Sequence, residues 1–328
     1  MKVLLPGPSH DDSFSDNVRH TLEQMGHQVI SPPVRRQASH YSSLPRYALR
    51  VARERFSGGR PSRAEWQLLR LAKAKAPDVV LCPSFDIHPE ILDELGKLCP
   101  GRRILWWGDA PANSQRWGLV NPGWDWVFVK DPAAVTKLRI AGSNAHLLHE
   151  AMNPSWHRPV ARQANDCIAV AGNYYGYRQA VILRLMTSGV RVSLFGAKPP
   201  IWAAARIKKH WTGRYITRED KSQVFGEALA CLNTFALAEG NSLNCRAFEI
   251  AGAGGLQLME ARPIVSECFE PGTEVLTFTS FEELLALLQR CQRSPAEMQA
   301  IRTAAARRAL AEHTYRHRLD RIFGYLKS

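Results

Sequence analysis

The stretch EGNSLNCRAFEIAGAGG (239–255) holds the residues best suited to chemistry. A polar loop, with Ser242 as candidate N-cap, opens a helix at about Asn244. The unsatisfied N–H groups of such a first turn form an anion site. Arg246 on that turn adds a planar double donor that fits a phosphate. Glu249 follows three residues later, on nearly the same helical face. A carboxylate there can accept hydrogen bonds from a vicinal diol such as a ribose, which would set it at a cleft, outside the core. The same spacing also describes an ordinary surface helix with an Arg–Glu pair.

A second candidate is VAGNYYGYR (170–178). A strand ends at Gly172, Asn173 begins the turn, and the backbone can approach a phosphate closely at such a glycine. Arg178 enters the following helix, where it could meet a pyrophosphate. The segment is neither a G-x-G-x-x-G fingerprint nor a Walker loop. Candidate general bases stand elsewhere. Asp109 lies just past the apolar run RILWW (103–107), in a turn closed by Pro111. His10, Asp11 and Asp12 follow the first run and Gly7. Carboxyl ends of parallel strands are where functional side chains gather. A base there could deprotonate an acceptor hydroxyl in an inverting mechanism; a retaining one needs none. Turn capping also explains Asp109, and a solvated loop explains His10. His313 and His317 have the i, i+4 spacing of metal ligands, but no third ligand stands near, so packing or surface roles are expected and no metal.

The elements that must position these residues alternate along the chain. KVLL (2–5), HQVI (27–30), DVVLC (78–82), RILWW (103–107), WVFV (126–129) and AHLL (145–148) read as strands. Helical patterns fall at 13–25, 89–98 and 132–141. Residues 149–166 carry two prolines and no periodicity, and read as a linker. The alternation then restarts with strands in 167–172, 190–196, 228–235, 255–259 and 274–278. Helices are expected near 177–187, 219–228 and 244–252, and from 281 onward. Continuous apolar strands between helices mean parallel sheets covered on both faces. Two doubly wound α/β domains facing a cleft follow, each binding at its strands' carboxyl ends. The length of 328 residues agrees with two domains.

Apolar residues make up 45% and charged residues 22%, an ordinary globular mix. No apolar run reaches membrane-span length, and the opening MKVLLPGPSHDD does not read as a signal peptide. Seven cysteines form no C-x-x-C pair and read as buried reduced thiols of a cytosolic protein. The nine tryptophans, of which Trp106, Trp107 and Trp126 fall on expected strands, read as core, with sugar stacking open to one or two. Net charge is +13 and points to an anionic partner. Residues 31–75 hold eleven Arg or Lys against two Glu, a net +9. Helices are expected there at 44–56 and 62–75. Arg46, Arg50 and Arg53 share one face, suited either to solvation or to an anionic lipid surface or lipid-linked glycan. No helix-turn-helix, zinc or RNP signature points to nucleic acid.

NCRAFEIAGAGGLQLMEARPIVSECFEPGTEVLTFTSFEELLALLQRC (244–291), with AEHTYRHR (311–318), resembles the C-terminal domain of the CgeB-type, spore-maturation-like glycosyltransferases. These belong to the GT-B set, built of two Rossmann-like domains. VAGNYYGYRQAVILRLMTSGVRVSLFG (170–196) resembles the start of that domain, and WWGDAP (106–111) and MNPSWHRP (152–159) resemble the N-terminal part. The likeness is strong over about 168–318 and weaker over 31–76.

The resemblance implies an acceptor domain at 1–158, with a basic helical insertion at 31–76. A donor domain would span 159–328, its last helix packing back on the first domain. Glu249 matches the ribose-holding second glutamate of the E-x7-E pattern, while Asn241 stands where that pattern has its first. Arg178 falls near the residue that neutralises the donor pyrophosphate. Backbone groups at Tyr215 and Ile216 fall where the nucleobase is met. The implied activity is sugar transfer from a nucleoside diphosphate to a hydroxyl on a glycan, lipid-linked saccharide or protein. A non-catalytic binding or assembly protein of a glycan pathway is the alternative, kept open by Asn241. No D-x-D occurs, so the diphosphate would be met by cations and helix N-termini, without a metal or other cofactor. The expected place is the cytoplasm, with peripheral attachment to the inner membrane face.

Overall fold

Apolar runs set the framework, and the sheets they form are parallel throughout. The computed structural model describes residues 1–7, 9–32, 59–114, 117–161 and 163–327. The chain divides into two compact units, Met1–Leu148 with Ile322–Ser328, and His149–Arg321.

The first unit runs β1 (Lys2–Leu4), α1 (Phe14–Gln24), β2 (Gln28–Ile30), α2 (Arg63–Lys75), β3 (Val79–Pro83), α3 (Pro89–Leu98), β4 (Arg103–Trp107), β5 (Trp126–Val129), α4 (Pro132–Ile140) and β6 (Ala145–Leu147). Its six strands lie in the order β2-β1-β3-β4-β5-β6. Val80, Leu105 and Val127 pack into one core with Leu92 and Leu95 of α3. Their neighbours Leu81, Ile104 and Phe128 are buried as well. Burial on both faces contributes about 1.5–3 kcal/mol per large side chain, which is why these strands carry no alternation. Ser62 and Glu65 form a capping box that starts α2. The first unit is completed by residues 322–327. There the Tyr325 ring lies 4.5 Å from His146 and 5.4 Å from Trp126, and Phe323 meets His27 at 5.2 Å. Arg46, Arg50, Arg53 and the helix expected at 44–56 lie outside the described residues.

The second unit runs β7 (Ile168–Ala171), α5 (Gly176–Thr187), β8 (Val192–Phe195), α6 (Ala205–His210), α7 (Glu219–Glu227), β9 (Ala230–Asn233), α8 (Cys245–Gly252), β10 (Gln257–Glu260), α9 (Val265–Cys268), β11 (Leu276–Phe278), α10 (Phe281–Arg293), α11 (Pro295–Glu312) and the first part of α12 (Tyr315–Tyr325), whose residues from Ile322 onward count with the first unit. Its sheet order is β11-β10-β9-β7-β8. Along β7, Ile168 and Val170 enter one core while Ala169 and Ala171 enter another. The sheet is therefore covered on both faces, as in a doubly wound fold. The short helices α6 and α9 were not anticipated, because six and four residues are too few to show a period.

All seven thiols are free. Cys167 and Cys245 are half-buried and the other five buried. His313 is buried rather than exposed. Arg318, a donor only, gives a hydrogen bond to its Nδ1 at 2.9 Å, so Nε2 carries the proton and donates to the Cys268 carbonyl at 2.7 Å. Burial, and then the Arg318 charge, push its pKa down to about 4. No helix among the described residues is long and apolar enough to cross a membrane.

Candidate functional site

In the second unit the chain winds one way from β7 to β8, then back through β9, β10 and β11. The order therefore reverses between β7 and β9, and the carboxyl ends of those two strands border a ready-made crevice. The candidate site is built there. β7 ends into Gly172, whose φ of +118° only glycine adopts comfortably. Beside it, Gly196 closes β8 with φ +117°. A Cβ on Gly196 would stand 2.5 Å from the Gly172 carbonyl oxygen. The two backbones pack directly on each other, and the Gly172 N–H donates to the Phe195 carbonyl at 3.0 Å.

Two guanidinium groups converge over Gly172. A Cβ there would lie 2.4 Å from Arg246 Nη2 and 2.9 Å from Arg178 Nη1. Arg178 projects from α5 and is 3% exposed. It donates through Nη1 to the Asn173 carbonyl at 2.8 Å, through Nη2 to the Thr234 carbonyl at 2.8 Å, and through Nε to Thr234 Oγ1 at 3.0 Å. It thereby ties the turn after β7 to the turn after β9. Every one of these acceptors is neutral. Burial first, and the neighbouring Arg246 charge second, lower its pKa to about 10. A buried cation beside a like charge is disfavoured until an anion joins them. Arg246 reaches the same point from the first turn of α8, and is half-buried. Asn173 is exposed at the rim.

The start of α8 corrects one expectation. The N-cap is Asn244, whose side chain accepts from the Ala247 N–H at 3.2 Å and is locked to Asn233. Ser242 does not cap. It is buried and its hydroxyl donates to Glu239 at 2.9 Å. Asn241 Oδ1 accepts from the Ile264 N–H at 3.1 Å. Arg262 lies 4.0 Å over the Phe235 ring and clamps the carbonyls of Glu239 and Gly240. The 239–242 loop is thus held from two sides.

Glu249 brings a second correction. Neither an open cleft side chain nor half of a surface Arg–Glu pair, it is 3% exposed, and Ala247 through Gly252 are all buried. Its partner is Lys221 of α7, with Nζ 2.8 Å from Oε1. A ring nitrogen of buried His157 lies within 4.8 Å of a Glu249 oxygen. Lys221 and Thr234 are the site residues that sequence reasoning missed. A lysine in a short polar helix reads as solvated, and a lone threonine after a strand carries no signal. Tyr215 is 60% exposed and Ile216 is 4% exposed. The preceding Arg214 carbonyl accepts from the Gly196 N–H at 2.9 Å, which brings that segment to the same sheet edge.

In the first unit the order reverses between β1 and β3. His10, Asp11 and Asp12 follow β1 at that point. A Cβ on Gly7 would meet the Phe85 Cβ at 3.1 Å, so the turns after β1 and β3 touch. His10 is half-buried, and its Nδ1 lies 3.2 Å from the Asp11 carbonyl. Asp109 is exposed after β4, one strand along, where the Gly108 N–H donates to Ser84 Oγ at 2.7 Å. Both candidate bases therefore stand on the carboxyl edge of one sheet.

Residues 178–324 match the family model described as glycosyl transferase-like. The fold resembles sucrose-phosphate synthase from Thermosynechococcus elongatus, with TM-score 0.69 and 14% identity, covering 99% of this chain and 98% of that one. It also resembles Anabaena HepE, solved in complex with UDP and glucose, with TM-score 0.62 and 12% identity over 100% and 99% of the two chains. AviGT4, a glycosyltransferase involved in avilamycin A biosynthesis, gives TM-score 0.61 and 16% identity over 98% and 96%. The fold is that of GT-B glycosyltransferases, two Rossmann-like units with sheets of six and five parallel strands. No curated protein matches the chain by sequence.

Proposed function

We propose that the chain transfers a sugar from a nucleoside diphosphate to a hydroxyl acceptor. The observation that carries this reading is the convergence of Arg178 and Arg246 over Gly172, at the strand-order reversal of the second unit. Bond cleavage at the anomeric carbon leaves its electron pair on the diphosphate. Two fixed guanidinium groups, aided by the N-terminus of α8, stabilise that charge without reorganising. A divalent metal is then unnecessary.

In this reading Glu249, oriented by Lys221, accepts from the ribose hydroxyls. Tyr215 and Ile216 meet the base. The sugar sits near Asn241, Ser242 and Asn244. Asp109 or His10 takes the acceptor proton. The acceptor is a glycan, a lipid-linked saccharide or a protein, and attachment is peripheral at the cytoplasmic membrane face. UDP and glucose in the HepE complex, and the glycosyl transferase-like family model, support the donor class.

The test is a thermal-shift screen of UDP, GDP, dTDP, ADP and CMP. A ligand at a hundred times its Kd stabilises the native state by about 2.7 kcal/mol, and at the same concentration a tenfold to hundredfold weaker Arg246→Ala should keep only about 0.4–1.4 kcal/mol of it. A screen in which no nucleotide raises the melting temperature overturns the reading. Asn241, whose side chain serves the Ile264 N–H, favours a second reading, a nucleotide-binding relative that does not turn over. Donor hydrolysis separates the two.

A further inference from the structure

β8 leads into a loop that closes in a tight turn. The Ala203 N–H donates to the Pro200 carbonyl at 2.9 Å, so Ile201 and Trp202 are its two central residues. The base of the turn is fixed. Pro199, Pro200 and Ala203 are buried, Ile207 of α6 is fully covered, and the Ala204 N–H is fastened to Gln179 Oε1 of α5 at 3.0 Å. The tip is open to solvent: Ile201 is 84% exposed and Trp202 66%. Large apolar side chains scattered singly over a surface are ordinary. Here two adjacent ones share the tip of an anchored turn and form one apolar patch.

The surroundings give the partner its sign. Lys198, Arg206, Lys208 and Lys209 are exposed around the turn, and the Lys208 ammonium donates to the Ile201 carbonyl. Residues 167–218 contain nine Arg or Lys and no Asp or Glu. Arg184 and Arg191 find their carboxylates, Glu282 and Asp166, outside that stretch. Sequence reading placed the cationic surface at 31–75 and passed over this one.

We propose that the Ile201–Trp202 tip docks on an anionic phospholipid bilayer. Trp is at home at the headgroup level, Ile enters the acyl boundary, and lysines beside them reach the lipid phosphates. The cations flank an apolar tip on both sides of the chain, from Lys198 to Lys209. That suits a surface charged across its plane with an apolar layer beneath. A nucleic acid offers the charge but not the layer.

The experiment is co-sedimentation of the full chain with phosphatidylcholine vesicles, with and without phosphatidylglycerol, at low and high salt. Wild type is expected to bind only the anionic vesicles, and less at high salt. Ile201→Ser/Trp202→Ser and Lys208→Glu/Lys209→Glu should each weaken binding by about tenfold or more. Both pairs are exposed, so melting temperature and nucleotide binding should stay at wild-type values. Failure of wild type to bind anionic vesicles overturns the proposal, as does equal binding to phosphatidylcholine alone. Undiminished binding of the Ile201→Ser/Trp202→Ser variant also overturns it, and shifts attachment to other cations of the chain. Binding of duplex DNA that Lys208→Glu/Lys209→Glu removes, with no vesicle binding, replaces the bilayer by a nucleic acid.

Discussion

Gly172→Ala probes the anion site with one methyl group. The new Cβ would stand 2.4 Å from Arg246 Nη2 and 2.9 Å from Arg178 Nη1. Ordinary contact begins near 3.4 Å, so Arg246 must retreat by about 1 Å and Arg178 by about 0.5 Å. Arg246 is half-buried and can swing. Arg178 is pinned by the Asn173 and Thr234 oxygens and gives little. Holding alanine at φ +118° adds about 1–3 kcal/mol of strain. The variant should therefore fold with a lowered melting temperature, and its nucleotide contact should weaken chiefly through Arg246. A lost charge-assisted hydrogen bond is worth about 1.5–3 kcal/mol, or roughly tenfold to a hundredfold in Kd. Isothermal titration with the nucleotide found by thermal shift measures this directly. Arg246→Ala should give a similar loss. The double variant should lose far less than the product, because both changes act through one guanidinium. An unchanged Kd in folded Gly172→Ala, or full additivity in the double variant, would refute an anion seated between these two arginines.

Other outcomes test the neighbouring groups. Glu249→Gln should raise the nucleotide Kd about tenfold by removing a charged acceptor. Glu249→Ala removes the carboxylate that half-buried Lys221 meets and should also cost about 1.5–3 kcal/mol in denaturant unfolding, part of which Lys221→Met in the same chain should restore. Gly196→Ala, whose Cβ would strike Gly172 backbone rather than a movable side chain, should destabilise the second unit by about 2 kcal/mol or more in thermal unfolding. Donor turnover should survive EDTA if, as proposed, Arg178, Arg246 and the α8 N-terminus meet the diphosphate; a strict Mg²⁺ or Mn²⁺ requirement in the donor assay counts against that. His313, pushed down to about 4 in the fold from its ordinary 6.5, is neutral when native. Unfolded chains take up its proton first, so stability should fall as pH drops from about 6.5 to 4. The total loss is roughly 3 kcal/mol, and His313→Gln should flatten that limb of a urea-unfolding pH series.

Strands were the most legible part of the sequence, since RILWW and WVFV become β4 and β5 residue for residue. Buried parallel strands announce themselves by unbroken apolar runs. Arg178 and Arg246 were singled out as candidates from their own segments, but the approach of one to the other over Gly172 was not legible. Arg178 and Arg246 are distant in sequence and converge because β9 inserts beside β7. Sheet order is a property of the packed fold, and no local pattern encodes it. Capping went to Asn244 rather than Ser242 because Asn244 immediately precedes the first helical residue, Cys245, and is held in place by Asn233. Both residue types cap equally well, and only tertiary contacts choose between them. Lys221 stayed hidden because helices bury charges wherever a partner waits, and the partner is Glu249 on another helix.

The ring cluster of Tyr325, His146 and Trp126, with Phe323 against His27, bears on how the polypeptide is made. Ribosomes deliver domains in order, and the first usually folds as it emerges. Here the opening unit spans residues 1–148 but is completed by residues 322–327, which are translated only after the whole second unit. During elongation the aromatic faces of His27, Trp126 and His146 lack their cover, so a nascent-chain holdase would find its substrate there. Splitting the gene at 148/149 would make that state permanent. Two-plasmid expression of the halves should yield a first half prone to clumping, cured by grafting residues 322–328 onto its end.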